Sequence, residues 1–431
     1  MNSQRHGSSL GREPTNRVLL VAYEYPPIGG IGIIRSVKFS KFLPYFGWNP
    51  HVLTVANPDR FYTTVTNEPV PPGVRVYRVR NPLNNLSVVE GALRRLRLPS
   101  RAIVPDVYRG WVGPAVRQGR RIVDENSINL IYVTVSPFSS SEIGVRLKME
   151  TGLPLVLDLR DAWTLAPNPI EYLHEALRQR DKRLEEMAIR AADRIVTATE
   201  GIAEQYAEKY PFVADKLVPI LNGFDCDDIP QDTVPFPTFT IAYTGFFYGA
   251  QSPETFVQAL ERIVKTGLIP ADEIQFLWAG RDAPWVRAMF RNAGIERIVT
   301  YLGLVPKVEA DALLYRSHLL FFLLGENERV SQKRILTGKI FPYLASGRQI
   351  LALVPNGDAA RLISEYSDDA VVISNDSVDD VIAAIVDAHH RWRIGTAIQP
   401  LGDKTREFRR RYNYRERTGE LAAVFDSLTA C

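Results

Sequence analysis

Apolar residues in this chain follow two rhythms, short unbroken runs and longer stretches at helical spacing, and the two alternate along the sequence. The short runs span Val18 to Tyr23, His51 to Val55, Val74 to Val79, Leu130 to Val135, Pro154 to Asp158, Arg194 to Ala198 and Lys216 to Ile220 in the first half. In the second they span Thr240 to Thr244, Ile274 to Trp278, Ile298 to Leu302, His318 to Leu323 and Ile350 to Val354. Unbroken apolar runs of this length predict parallel strands covered on both faces. The stretches between them predict helices over about 33–46, 116–125, 170–192, 253–264 and 405–427. In the third of these, charges occupy nearly every position except the stripe Leu173, Leu177, Leu184 and Met187, which marks a surface helix laid on a sheet. Strand and helix in regular alternation define the α/β class.

The alternation breaks once, at Asp228 to Thr238, where Pro230, Pro235 and Pro237 interrupt any regular structure. With 431 residues the chain exceeds one ordinary core. The predicted organisation is a disordered polar lead-in over 1–16, a Rossmann-like domain over 17–225, a linker over 226–238, a second Rossmann-like domain over 239–400, and a terminal helical segment over 401–431. The segment from about Asn81 to Arg109 fits no regular element. Its Arg94, Arg95, Arg97 and Arg101 alternate with Leu93, Leu96, Leu98 and Ile103. Read as a basic amphipathic patch, 93–103 makes a weak peripheral contact with an anionic membrane; read as a solvated face, its leucines pack on the core. The second reading is preferred here, given the small net charge.

Composition narrows the function classes. A net charge of +3 gives no reason to expect nucleic acid as a partner. No apolar run is long enough to span a bilayer, and the first residues lack the apolar core of a secretory signal. Two cysteines, Cys226 and Cys431, make no disulfide framework, so a reducing cytoplasm is the expected location.

Candidate chemistry clusters where predicted strands end, since parallel α/β sheets bind ligands beyond the carboxyl ends of their strands. After the first strand comes Pro27-Ile28-Gly29-Gly30-Ile31-Gly32. As a dinucleotide fingerprint it fails, because Arg35 stands where glycine or alanine is needed. A tight strand-to-helix turn is the plainer alternative. After the fifth strand comes Asp158-Leu159-Arg160-Asp161-Ala162-Trp163. Its carboxylates can serve acid–base chemistry, or an Arg160–Asp salt bridge can simply close the strand end. In the second half, Gly245, Gly280, Gly303 and Gly325 follow strands and allow a ligand close to the backbone. From Leu336 to Ala360 the chain packs helix, turn, strand and helix start. There Gly338 and Lys339 would open a helix, and the free N–H groups of that end, with the lysine ammonium, suit a phosphate.

That last stretch carries a resemblance. Lys339, Tyr343, Leu344, Ala345, Gly347, Ile350 and Leu351 match the signature of retaining nucleotide-sugar glycosyltransferases of the GT-B fold, the large group 1, family 4-like set. The Gly29-Gly30 loop, the D-L-R-D-x-W cluster, Asn222-Gly223-Phe224-Asp225, Tyr243 to Gly249 and Tyr301 to Pro306 resemble further motifs of that family, in the same order. The resemblance implies two facing Rossmann-like domains with a C-terminal helix crossing back to the first. It implies transfer of a sugar from a nucleoside diphosphate sugar, UDP- rather than GDP-linked, to an acceptor hydroxyl or amine, with retention and without a metal or other cofactor. The acceptor is a small molecule or glycan held mainly by the first domain. In these terms Asp161 and Arg160 are the catalytic candidates. Gly29, Gly30, Gly245, Tyr248, Arg281, Lys333, Arg334, Gly338 and Lys339 are the donor-binding ones.

The sequence also departs from the family. Pro342 replaces a glutamate that accepts the ribose hydroxyls, a bond worth roughly 1.5–3 kcal/mol. Arg334 stands where an earlier glutamate belongs, and Phe246 and Gln251 occupy the neighbourhood of a basic pair. The expectation is a donor pocket rebuilt around proline, in which a restored glutamate would bury an unmatched charge. A nucleotide-sugar epimerase or hydrolase, or a non-catalytic relative, is the alternative that these departures keep open.

Overall fold

The unbroken apolar runs form the strands of two parallel sheets. The computed structural model describes residues 16–58, 68–99, 101–166, 170–231, 233–248, 251–325, 333–374 and 377–430. The lead-in over 1–15 lies outside them. The first sheet comprises β1 (Asn16–Val21), β2 (Trp48–Val55), β3 (Arg75–Val79), β4 (Leu130–Val135), β5 (Leu155–Leu159), β6 (Arg194–Thr197) and β7 (Leu217–Pro219). They lie in the order β3-β2-β1-β4-β5-β6-β7. The second sheet comprises β8 (Phe239–Thr244), β9 (Ile274–Ala279), β10 (Val299–Gly303), β11 (Leu319–Leu323), β12 (Gln349–Leu353) and β13 (Ala370–Ile373), in the order β10-β9-β8-β11-β12-β13. Every pairing is parallel. Each sheet therefore reverses its winding once, between β1 and β4 and between β8 and β11. Ligand crevices of doubly wound sheets open at such points.

Side chains on both faces of each sheet are buried, which explains why the strands read as continuous rather than alternating apolar runs. In the second sheet the two faces build separate cores. One is centred on Phe256, Phe276 and Phe321, the other on Phe322, Ile340 and Leu344.

The terminal segment is two helices rather than the one predicted. Asp403–Arg411 packs on the second domain through Phe408, whose ring lies 5.6 Å from that of Tyr366. The chain turns at Tyr412-Asn413, where Asn413 caps the next helix by accepting from Glu416 N–H at 3.0 Å. That helix, Tyr414–Thr429, belongs to the first domain. Phe425 sits 5.1 Å from the Trp48 ring, and the indole N–H of Trp48 donates to Asp426 at 2.9 Å.

Two chain segments thus join the domains, and they meet. Phe224 N–H donates to Tyr412 O at 3.1 Å and Tyr414 N–H to Phe224 O at 2.8 Å. Gly223 is needed there, because a Cβ would stand 2.4 Å from the Tyr412 carbonyl oxygen. Beside this bridge, Asp228 of the linker takes Lys38 of the first domain at 2.9 Å and Lys307 of the second at 2.8 Å. Asp225 takes Lys38 at 2.9 Å and Lys41 at 2.6 Å.

Two further expectations are corrected. The third long helix is Glu175–Ala191, started by His174, whose Nδ1 accepts from Ala176 N–H; it begins five residues later than its charge pattern suggested. The stretch predicted to be irregular holds a helix, Ser87–Arg95, and the residue it buries most deeply is not a leucine. Its one acid, Glu90, is buried between Arg94 at 3.7 Å and Arg101 at 3.8 Å, while Val88, Val89, Leu96 and Leu98 are exposed.

Candidate functional site

At the reversal of the first sheet, the chain leaves β1 through Tyr23, Glu24 and the glycine loop, and leaves β4 through Ser136. Arg160, just past β5, ties these together. Its guanidinium donates to the Gly32 carbonyl, to the Ser136 carbonyl at 2.6 Å and to Glu24 at 3.3 Å. Gly29 is buried in this loop and Gly30 takes a positive φ of 111°, a conformation that favours glycine. A Cβ on Gly32 would stand 2.1 Å from the Glu24 carboxylate, so the loop closes tightly on the strand end.

The D-L-R-D-x-W cluster separates into four roles. Asp158 is fully buried and paired with Arg35, the residue that breaks the dinucleotide fingerprint; Arg35 Nη2 lies 2.8 Å from Asp158 Oδ1 and its Nε 2.9 Å from Oδ2. Tyr132 donates to the same carboxylate at 2.7 Å. Trp163 is buried against Phe138, ring centres 5.0 Å apart, and donates to Asp181 at 2.9 Å. Arg160 holds the loop as described, and its carboxylate partner is Glu24 rather than either aspartate of the cluster. Asp161 alone is exposed at the sheet's carboxyl edge.

At the reversal of the second sheet, pairing of β8 with β11 stops at Ala242–Leu320, so the strands part towards their carboxyl ends. The Lys339 ammonium enters this gap. It donates to the Tyr243 hydroxyl at 3.1 Å and to the Leu323 carbonyl at 3.3 Å, and it faces the rings of Tyr243 at 4.6 Å and Phe322 at 5.1 Å. Among the described residues no carboxylate pairs with it. Burial without an acid pulls its pKa down from 10.5 to about 7. Gly245, at φ 150°, passes so close that a Cβ there would lie 3.5 Å from Lys339 Nζ. Its own carbonyl fits only because Gly280 has no side chain, a Cβ there coming within 1.8 Å. Arg281, next along, is exposed and lies over the Phe246 ring at 5.0 Å. A cation from β9 therefore stands beside the turn whose own sequence lacks one.

The other donor-site candidates divide. Gly338 forms the turn before the helix Ile340–Ser346, which Lys339 caps instead of joining. Tyr248 is exposed at the end of the β8 turn. Lys333 is exposed and contributes its carbonyl, which accepts from Asp358 N–H at 2.7 Å at the start of the helix Asp358–Tyr366. Arg334 reaches across to the first domain, 4.0 Å from Glu204 and 3.7 Å from Glu208 on the helix Glu200–Lys209. The structure thus gathers Gly245, Arg281 and Lys339 at one crevice, Gly29, Gly30 and Arg160 at the other, and uses Arg334 between the domains. Pro342 is the third residue of its helix and is partly exposed. No N–H is lost there, since the first helical turn leaves its N–H groups without intrahelical partners.

Sequence reading passed over Glu24, Tyr243 and Phe322. Glu24 was visible as an acid directly between the first strand and its glycine loop. Tyr243 opened a stretch resembling a family motif without being singled out as a contact, and Phe322 carried no signal beyond strand membership.

Residues 36–228 match the model of Glycosyltransferase Family 4. Solved structures of similar architecture extend over nearly the whole chain. A sucrose-phosphate synthase from Thermosynechococcus elongatus is 14% identical, with 96% of this chain and 99% of that one covered at a TM-score of 0.65. Anabaena HepE in complex with UDP and glucose is 14% identical, covering 96% and 100% at 0.65. A putative UDP-N-acetylglucosamine 2-epimerase from Listeria monocytogenes is 11% identical, covering 95% and 96% at 0.53. At these identities the likeness establishes the fold, which is GT-B. A comparison with curated protein sequences finds no match.

Proposed function

From a chain that is GT-B throughout and family 4-like across its first domain, we propose a glycosyltransferase that moves a hexosyl group from a nucleoside diphosphate sugar to an acceptor hydroxyl or amine, with retention. The observation that carries this is Lys339. An ammonium set among aromatic rings, with no carboxylate partner among the described residues and a depressed pKa, is poorly stabilised until an anion arrives. A diphosphate at the β8–β11 gap supplies that anion. Arg281, beside the same turn, is the further cation proposed to meet the remaining charge, so the leaving group is stabilised by protein donors and no metal is invoked. UDP is the proposed nucleotide, supported by the UDP and glucose bound in the similar Anabaena structure.

In the first domain Asp161 is the group proposed to orient the acceptor hydroxyl and take its proton or pass it to the departing diphosphate. Arg160 is proposed to shape the loop beneath the diphosphate. A cytoplasmic location is proposed with this reading, since nucleotide sugars are available there.

The test is calorimetric titration with UDP and GDP, followed by incubation of a panel of UDP-sugars with mixed acceptors and detection of free UDP. Wild type should bind UDP, and Lys339→Ala should bind it at least tenfold more weakly with an unchanged circular dichroism spectrum. Equal binding by the variant would remove Lys339 from the site. Binding without release of UDP from any sugar would favour a non-catalytic relative.

A further inference from the structure

The helix Ser87–Arg95 follows β3 at the carboxyl edge of the first sheet, and its polarity is inverted relative to a helix that serves only the core. Its acid is its most buried residue, and its two valines face out while Leu93 is half-buried. Val88 and Leu96 are each 69% exposed, and Leu83, Val89 and Leu98 are exposed beside them. The base of this unit is tied to the glycine-loop side of the crevice. The Tyr23 hydroxyl lies 3.4 Å from Asn84 and 3.5 Å from Asn81, and Arg78 donates to the Pro26 carbonyl at 2.6 Å.

Arg94, Arg95 and Arg97 rim the exposed apolar residues, and Glu90 is the only acid in the sequence from 80 to 99. The helix ends in a Schellman motif: Leu98 N–H donates to Leu93 O at 3.0 Å and Arg97 N–H to Arg94 O at 3.0 Å. The residue in the left-handed position of that motif is Arg97, at φ 55°, where glycine would be unstrained. A cation is kept where the backbone would favour none.

We propose that this face is a docking surface for an anionic lipid bilayer, with the apolar side chains entering the headgroup boundary and the arginines meeting lipid phosphates. Basic residues around an exposed apolar helix face match that surface in both charge and polarity. The proposal concerns binding alone and does not depend on the transfer reaction. Its consequence is that the rim of the acceptor-side crevice would lie at the membrane, within reach of a lipid-borne acceptor.

Sedimentation with sucrose-loaded vesicles tests it. Wild type should remain with the supernatant over phosphatidylcholine vesicles and pellet with vesicles containing phosphatidylglycerol, less so as salt is raised. Arg94→Gln/Arg95→Gln should weaken partition about fivefold per arginine. Leu96→Ser/Leu98→Ser should weaken it at unchanged salt dependence. Arg97→Gly should weaken it while raising the melting temperature, which separates lost binding from lost folding. Wild type that ignores anionic vesicles overturns the proposal. So does a wild-type protein whose solution mass doubles and is returned to monomer by Leu96→Ser/Leu98→Ser, since the occupant would then be a second copy of this chain.

Discussion

The Nζ of Lys339 lies 3.1 Å from the Tyr243 hydroxyl and 4.6 Å from the centre of the same ring, so one aromatic residue supplies two of the contacts that steady a cation with no carboxylate partner among the described residues. Neither contact neutralises the charge. The arrangement makes the proton on Lys339 dependent on what occupies the gap.

Nucleotide binding is therefore expected to take up a proton. With a pKa of about 7 in the free protein, Lys339 is largely neutral at pH 8 and must be reprotonated to meet a diphosphate. Titrations in buffers of differing ionisation enthalpy should show uptake approaching one proton per UDP bound. Affinity should fall by up to about tenfold per pH unit above 7. Lys339→Ala should show neither effect.

The same group shapes stability in the absence of ligand. Its folded pKa lies below its unfolded one, so between about 7 and 10.5 the unfolded chain binds the extra proton and this contribution to stability rises with pH. Below pH 7 the penalty is present in full. Lys339→Met should raise the urea midpoint at pH 6.5, by roughly 1–3 kcal/mol of unfolding free energy, and abolish stabilisation by UDP.

Arg35 and Asp158 should behave in the opposite way. Removing one partner leaves a buried charge unpaired, so Arg35→Met should cost about 3–5 kcal/mol. Arg35→Met combined with Asp158→Leu should recover much of that loss. Denaturant unfolding measures both, and an Arg35→Met cost below about 1 kcal/mol would show that Tyr132 alone satisfies the carboxylate.

Asp161 and Arg160 stand side by side but should separate kinetically. Asp161→Asn, at an exposed position, should leave the melting temperature within about a degree or two and lower kcat far more than donor affinity. Arg160→Met frees the Gly32 and Ser136 carbonyls and strands Glu24, so it should lower stability and donor affinity together. The same pattern from both variants would return Asp161 to a structural role.

A glutamate at position 342 was expected to bury an unmatched charge. In the structure Pro342 is the third helical residue and partly exposed, so that penalty does not apply at full size. A glutamate in a first helical turn is itself favoured by about 0.3–1 kcal/mol. Pro342→Glu is thus expected to fold at least as well as wild type and to tighten UDP-sugar binding about tenfold through the ribose hydroxyls. Weaker binding by a well-folded variant would show that the pocket is rebuilt around proline.

Much of this was legible in the sequence because buried parallel strands leave unbroken apolar runs, and a glycine that ends one, as Gly280 does, can mark an approach too close for a side chain. Lys339 could be found in the same way, as a basic residue at such a point. What could not be read was pairing. Asp158, Arg160 and Asp161 look alike as a motif, yet a partner contributed by Arg35 more than a hundred residues away buries the first, Glu24 engages the second, and the third is left exposed. Around Ser87–Arg95 the alternation of arginine and leucine fits either face inward. Arg101, returning from beyond the helix, decides it by meeting Glu90 on the core side. Hydrophobic patterning has no term for that choice.

The docking of Tyr414–Thr429 onto the first domain sets an order on biosynthesis. Trp48 is covered by Phe425 and hydrogen-bonded to Asp426, and Tyr132 also rests on Phe425 at 5.5 Å. A ribosome delivers the seven strands of the first sheet well before it delivers that helix, and the entire second domain is translated in between. During that interval the nascent first domain carries an open apolar seam, where a chaperone can bind and from which Phe425 must later displace it.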